Sequence, residues 1–181
     1  LRKRHNTCPI MFSSSIQASC AGRYQGSQYG RSKLEGEKML LKYSQKTNAK
    51  VLIYRLPNLY GKWSKPNYNS VVATFCNAIA NDLEYRVNDR NTEIELLYID
   101  DLINELLDAL ENHEHRCEYD KMTPIATDQG RYCFVPVTDT VTLGEVADLL
   151  NFFKSVPQTL GMPELASGSF VQKLFSTYLS Y

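Results

Sequence analysis

Two short apolar runs with one amphipathic helix pattern between them constrain this chain more than any other feature. "CPIMFSSS", from Cys8, reads as a buried strand: Pro9 starts it, Ile10, Met11 and Phe12 form the apolar run, and Ser13, Ser14 and Ser15 close it. A loop with Gly22 and Gly26 follows. "YGRSKLEGEKMLLKY" then predicts a helix from about Tyr29 to Tyr43, with Leu34, Leu40 and Leu41 as its apolar stripe. Gly30 and Gly36 weaken that helix in isolation and point to close backbone approach. "KVLIYRLPNLYG" is a second buried strand, ended by Pro57 and Gly61.

The alternation continues downstream. "KWSKPNYN" is a polar, aromatic loop, and "SVVATFCNAIAN" a helix with Asn69 or Ser70 as its cap. "IELLYIDDLINELLDALEN" starts extended and turns helical at Asp100 or Asp101, a natural cap, with Leu102, Leu106 and Leu110 on one face. "YCFVPV" is a third strand, and "TLGEVADLLNFF" a helix opened by a capping box of Thr142 and Glu145. The tail "PQTLGMPELASGSF" is turn-rich surface. Strands alternating with helices define an α/β layered fold with a parallel sheet. Three strands are few for a parallel sheet, which needs both faces covered, so the inventory reads as part of a domain.

Composition narrows the partners. The chain has 20 basic and 20 acidic residues, so charge does not argue for nucleic acid or a membrane surface. No apolar run approaches the roughly 18 residues of a membrane-spanning helix, and no signal-peptide pattern occurs. The basic start "LRKRHN" reads as a solvated helix end. Cys8, Cys20, Cys76, Cys117 and Cys133 are odd in number and lack Cys-x-x-Cys spacing, which fits a reducing cytoplasm and not a disulfide framework or a zinc site. "HEHRC", with His113, His115 and Cys117, allows a metal reading, but a polar loop after a helix explains it more simply.

Tyr29 and Lys33 stand four apart and share a helix face. A phenol titrates near ~10, and a nearby ammonium favours its phenolate, which makes such a pair a proton donor and acceptor at neutral pH. Ser15, closing the preceding strand, is placed to orient a carbonyl or alcohol. The combination suits proton transfer coupled to hydride transfer at a carbon–oxygen bond. By itself, Tyr followed by Lys at +4 is a weak pattern in a chain with 12 tyrosines, and a solvated helix face would show it too.

The context strengthens it. "FSSSIQA", "YGRSKLEGE", "YRLPNLYG", "NSVVATF", "LYIDDLINELLDAL" and "VTLGEVADLL" resemble, in order, the extended short-chain dehydrogenase/reductases that act on nucleotide sugars. "SSSIQA", "RLPNLYGKWSKPNYNSVVATF", "VNDRN" and "STYLSY" are most similar to the capsular-polysaccharide 4-keto-sugar reductases. In those proteins the reductase domain is followed by a cupin domain. The resemblance implies the C-terminal half of a Rossmann-type doubly wound sheet plus a small substrate-binding lobe. It also implies a cofactor of NADP(H) or NAD(H), a UDP-sugar substrate, and a homodimer in the full-length protein. Tyr29 matches the catalytic tyrosine, Lys33 the lysine holding the nicotinamide ribose, and Ser15 the catalytic hydroxyl. Leu56 and Pro57 fall where the backbone meets the nicotinamide, and Asn58 where an asparagine meets the sugar nucleotide. Asn69 matches a diphosphate contact at a helix start, where anions are favoured on physical grounds.

Three departures shape the expectation. Ile16 and Gln17 stand where sugar-nucleotide dehydratases carry an acidic pair, so a dehydratase is disfavoured. Ile94 stands where many relatives place a diphosphate-binding arginine, leaving Arg90 or Arg86 to substitute. No G-x-G-x-x-G or G-x-x-G-x-x-G cradle occurs. The expectation is a partial reductase domain over residues 1–181, truncated at both ends. A nucleotide-sugar 4-epimerase and a non-catalytic remnant remain as alternatives.

Overall fold

The computed structural model describes residues 8–159 and 165–181; the basic start and the middle of the turn-rich tail lie outside them. In chain order the elements are β1 (Ile10–Ser15), α1 (Gln28–Thr47), β2 (Val51–Leu56), β3 (Asn58–Tyr60), α2 (Val71–Ala80), β4 (Glu93–Tyr98) and α3 (Ile99–Leu110). Then come β5 (Arg116–Asp120), β6 (Thr123–Ala126), β7 (Tyr132–Cys133), β8 (Asp139–Thr142), α4 (Leu143–Thr159) and α5 (Phe170–Tyr178). Two compact units result, residues 1–57 with 103–136, and residues 58–102 with 137–181.

The first unit holds a five-stranded sheet ordered β1-β2-β7-β5-β6. The three strands read from sequence are its three neighbouring parallel members. β1 and β2 pair in register from Ile10↔Val51 to Ser15↔Leu56, and Tyr54 bridges Cys133 of β7. β2 is buried at Val51, Leu52, Ile53, Tyr54 and Leu56, on both faces, as a near-continuous apolar run in a parallel sheet requires. The sequence reading missed the β5–β6 hairpin. Its two-residue loop is Lys121–Met122, with Lys121 at φ 58°, and it lacks the Asn-Gly or Asp-Gly that signals such a turn.

The expected single strand "KVLIYRLPNLYG" breaks at Pro57. Proline has no N–H to give a ladder, so β2 stops at Leu56 and Asn58–Tyr60 joins a different sheet. That sheet, β3-β4-β8, belongs to the second unit, with β3 parallel and β8 antiparallel to β4. α2, α4 and α5 pack with it around Tyr60, Val72, Phe75, Ile79, Leu96, Leu150, Phe153 and Leu174. Phe153 meets Phe175 edge-on at 5.0 Å.

Caps follow the sequence at two helices and not at a third. Ser70 caps α2, its Oγ accepting from the Ala73 N–H. The Thr142–Glu145 box closes both ways: the Glu145 N–H donates to Thr142 Oγ1 at 3.1 Å, and the Thr142 N–H donates to Glu145 Oε2 at 2.6 Å. Thr142→Ala should cost about 1 kcal/mol, read as a lower urea midpoint at constant slope. The third reading is corrected. α3 begins at Ile99, so Asp100 and Asp101 sit inside its first turn, where carboxylates complement the dipole, and neither is the cap. Asp101 also pairs with Lys173 of α5 at 2.7 Å.

The tail is more helical than expected. α4 runs through Pro157, which sits in its last turn, and ends two residues later. α5 was not anticipated, although Ser169 and Gln172 form a cap signature: Ser169 Oγ accepts from the Gln172 N–H, and Gln172 Oε1 accepts from the Gly168 N–H.

Burial pushes the Cys76 and Cys117 thiols up to about 12 and that of Cys133 to about 11. Cys8 is exposed and Cys20 half-buried. Since the thiolate is the nucleophile, maleimide near neutral pH should label Cys8 and Cys20 in the native protein and the other three only after unfolding. Peptide mass spectrometry reads this out, and fast native labelling of Cys117 would contradict the buried sheet position.

Candidate active site

In the first unit, the carboxyl ends of the parallel strands β1 and β2 gather the residues expected there. Ser15 and Leu56 end their strands as register partners, and Pro57 follows directly. Open α/β sheets present ligand sites at this end because helix starts and strand-end backbone groups converge there. α1 starts nearby. A run of polar contacts ties its beginning to Ser15: the Gln17 N–H donates to Ser15 Oγ at 3.2 Å, Ser27 Oγ donates to Gln17 Oε1 at 2.9 Å, and the Gly30 N–H donates to Ser27 Oγ at 2.9 Å. Ser27 is thereby the cap of α1. Because Ser15 Oγ accepts here, its proton remains for another acceptor.

Gly30 explains why a weak helix former stands at this point. A Cβ there would lie 2.2 Å from the Gln17 carbonyl oxygen, so only glycine lets the helix start lie against that turn. Gly36 is the same device one turn and a half on, where a Cβ would meet the Phe12 ring at 2.9 Å. The close approach expected from both glycines is therefore real.

Tyr29 and Lys33 do share a face of α1. Lys33 Nζ lies 5.5 Å from the Tyr29 ring centroid and 5.3 Å from that of Phe12. It donates to the Ser13 carbonyl oxygen at 2.8 Å, which holds the ammonium beside the end of β1. Tyr29 is 53% exposed, so its phenol is open to a ligand.

The remaining candidates lie in the second unit and carry partners of their own. Asn58 Nδ2 donates to the Glu95 carbonyl oxygen at 3.1 Å. Asn69 is exposed, one residue before the α2 cap. Arg90 pairs with Asp148 at 2.6 Å between exposed side chains, a geometry of small net energy that a stronger anion could displace. Trp63 and Tyr68 are 84% and 73% exposed in the loop before α2.

Sequence reading missed what holds α1 down. The most buried side chain of α1 is not Leu34, Leu40 or Leu41 but Glu37, fully buried. Ser14 Oγ donates to Glu37 Oε1 at 2.5 Å, Arg55 Nε to Oε1 at 3.0 Å and Arg55 Nη2 to Oε2 at 2.7 Å. Arg55 Nη2 also donates to Tyr132 Oη at 3.0 Å, with the guanidinium 4.3 Å from the Tyr132 ring centroid. Burial works against the Arg55 charge, but Glu37 outweighs it and raises the pKa further. The available signal was an arginine inside an otherwise apolar strand. Such a residue requires a buried partner.

His115 is occupied as well. Its Nδ1 lies 2.6 Å from Glu105 Oε2, and its backbone N–H donates to Glu105 Oε1, which also accepts from the Tyr54 hydroxyl. Among the described residues no group of three or more His, Cys, Asp or Glu side chains is placed to hold a metal ion. No helix among them is long and apolar enough to cross a membrane.

The sheet of the first unit is mixed, with β1, β2 and β7 parallel and β5 antiparallel to both β7 and β6, and it is the family match that gives the enzyme class. The chain matches the NAD dependent epimerase/dehydratase family over residues 12–121 and belongs to it. A nicotinamide dinucleotide is the cofactor class of that family. The chain is 33% identical, over its whole length, to a UDP-2-acetamido-2,6-beta-L-arabino-hexul-4-ose reductase of Pseudomonas aeruginosa, of which it covers 44%. A crystal structure of the capsular polysaccharide assembling protein CapF from Staphylococcus aureus is similar at 43% identity and TM-score 0.81, over 97% of this chain and 44% of that one. A UDP-glucose 4-epimerase from Thermotoga maritima, solved with UDP-glucose, shares the fold at TM-score 0.71 and 17% identity, over 98% of this chain and 64% of that one. The chain thus spans less than half the length of the reductase and CapF relatives.

Proposed function

We propose that this chain carries the proton-transfer apparatus of an NAD(P)H-dependent reductase. Its substrate would be the C4 ketone of a UDP-linked 2-acetamido-2,6-dideoxy-hexulose, on a route to capsular or surface polysaccharide. The observation that carries the reading is the Tyr29–Lys33 pair set beside the ends of β1 and β2, with Ser15 closing β1. The name of the Pseudomonas aeruginosa relative supports the substrate class. Ile16 and Gln17 in place of an acidic pair support reduction over dehydration.

The residues present fit the nicotinamide-ribose end of the cofactor. An open phenol and a held ammonium, side by side, offer a hydroxyl and a cation to a ribose diol. The sequence has no glycine-rich pyrophosphate loop, so these residues would hold only that end. When bound, the reduced cofactor supplies the hydride that C4 accepts. Ser15 donates its proton as a hydrogen bond to the C4 oxygen and orients it. Tyr29 gives its phenolic proton to that oxygen as the new C–H bond forms, leaving an alcohol and a phenolate, which takes a proton back from water. Lys33 stabilises the phenolate electrostatically.

The test is the complete gene product with NADPH and the UDP-linked 4-keto sugar. One NADPH consumed per ketone lost is expected. Interconversion of two UDP-sugars without net NADPH oxidation would replace the reading by the 4-epimerase. No turnover and no cofactor binding would replace it by the non-catalytic remnant.

A further inference from the structure

We infer that Glu37 is the positioning residue of the Tyr29 helix, fixing Tyr29 and Lys33 against Ser15 through Ser14 and Arg55. The inference rests on the proposed role of Tyr29 as proton donor. Glu37 stands four residues after Lys33 and eight after Tyr29, so all three fall on one face of α1. A helix that needed only an apolar face would place leucine or alanine there, because a buried carboxylate is costly unless fully partnered. Glu37 takes its partners from two adjacent strands on a single rung of the ladder. Ser14 and Arg55 are register partners, and both donate to the carboxylate. The next rung toward the strand ends is Ser15↔Leu56, and the preceding one is Ser13↔Tyr54, whose Ser13 carbonyl holds Lys33.

Three successive rungs therefore hold Lys33, hold Glu37 and present Ser15. Apolar packing of a helix on a sheet tolerates sliding and rotation. Directional bonds of fixed length to Ser14 and Arg55 do not. Arg55 is itself held by the Tyr132 hydroxyl and ring, so the clamp is anchored to a third strand, β7. The carboxylate touches no reacting atom in this arrangement. Its effect on chemistry passes through the axial position and rotation of α1.

The test uses Ser14→Ala and Glu37→Gln in the complete gene product, with Ser14→Ala carrying it where Glu37→Gln does not fold. Turnover per folded molecule should fall roughly 10- to 100-fold with KM within about twofold, because small misplacements of a proton donor slow the chemical step more than binding. The isotope effect from deuterium at the transferred position of the reduced cofactor should rise toward its full value. Amide hydrogen exchange should quicken in Gln28–Leu34 and stay at the parent rate elsewhere. Losses that only follow the folded fraction, with an unchanged isotope effect, would overturn the inference and leave Glu37 as a stabilising residue. If the parent transfers no hydride, the reductase reading fails and exchange alone decides. Quickening confined to Gln28–Leu34 then upholds the positioning role, and unchanged or molecule-wide exchange overturns it.

Discussion

Tyr29→Phe should lower turnover of the complete gene product by about 10³-fold, within the range a lost general acid costs, and leave the melting temperature within a degree or two. The two halves of this expectation have separate grounds. In the proposed mechanism the phenol is the proton donor, while the Lys33 ammonium is held on the Ser13 carbonyl oxygen and Ser15 orients the ketone. Phenylalanine keeps the ring beside Lys33, so the cation–ring contact and the helix face survive. Tyr29 is 53% exposed and contributes little to the core, so removal of its hydroxyl leaves no buried group unpaired. Steady-state rates with NADPH and the 4-keto sugar, alongside a circular-dichroism melt, measure both. A variant within threefold of the parent rate would remove Tyr29 from the chemistry.

Arg55→Met should destabilise the protein by roughly 3–5 kcal/mol, the cost of breaking a buried pair from one side. Against a typical stability of ~5–15 kcal/mol this is a large loss. Glu37 would keep its Ser14 bond and lose both bonds from Arg55, leaving a carboxylate in the interior with one donor. The side chains are 8% and 1% exposed, so water cannot replace the guanidinium. The Glu37→Leu/Arg55→Met double variant should recover most of the loss, because removing both charges removes the desolvation penalty of each. Urea unfolding of the four-member cycle gives the coupling energy. A double variant no more stable than Arg55→Met would mean that the pair is not what makes the single change costly. A double variant that is stable yet slow would separate the clamp's structural role from its positioning role.

Legibility in the sequence followed the range of the interaction. β1, β2 and the α1 pattern were readable because a parallel strand buried on both faces is apolar at nearly every residue, and because a helix repeats its face every three to four. The Ser70 cap and the Thr142–Glu145 box were readable because caps are closed by residues three apart. The same rule shows what was overlooked: Ser169 and Gln172 carry the equivalent signal for α5. The β5–β6 hairpin was hidden because Lys121 adopts a left-handed backbone without the usual glycine. α3 starts two or three residues earlier than a cap at Asp100 or Asp101 would place it, since a first-turn carboxylate and a cap look alike in sequence.

The candidate site divides in the same way. Its chemistry, a tyrosine, a lysine four residues on and a serine at a strand end, is local in kind and was legible, and the flanking motifs placed the chain in its family. Its fixation was not. Glu37 reads as one more charge on a helix until β1 and β2 pair in register and bring Ser14 and Arg55 to it from 23 and 18 residues away. Gly30 signals a close approach in the sequence, but only the structure shows that the turn holding Gln17 is what lies against it. Sequence by itself determined which groups are candidates for proton exchange, because reactivity belongs to residue type and short spacing. Only the tertiary structure decided how rigidly those groups are held, because that depends on contacts between segments whose separation along the chain carries no periodic signal.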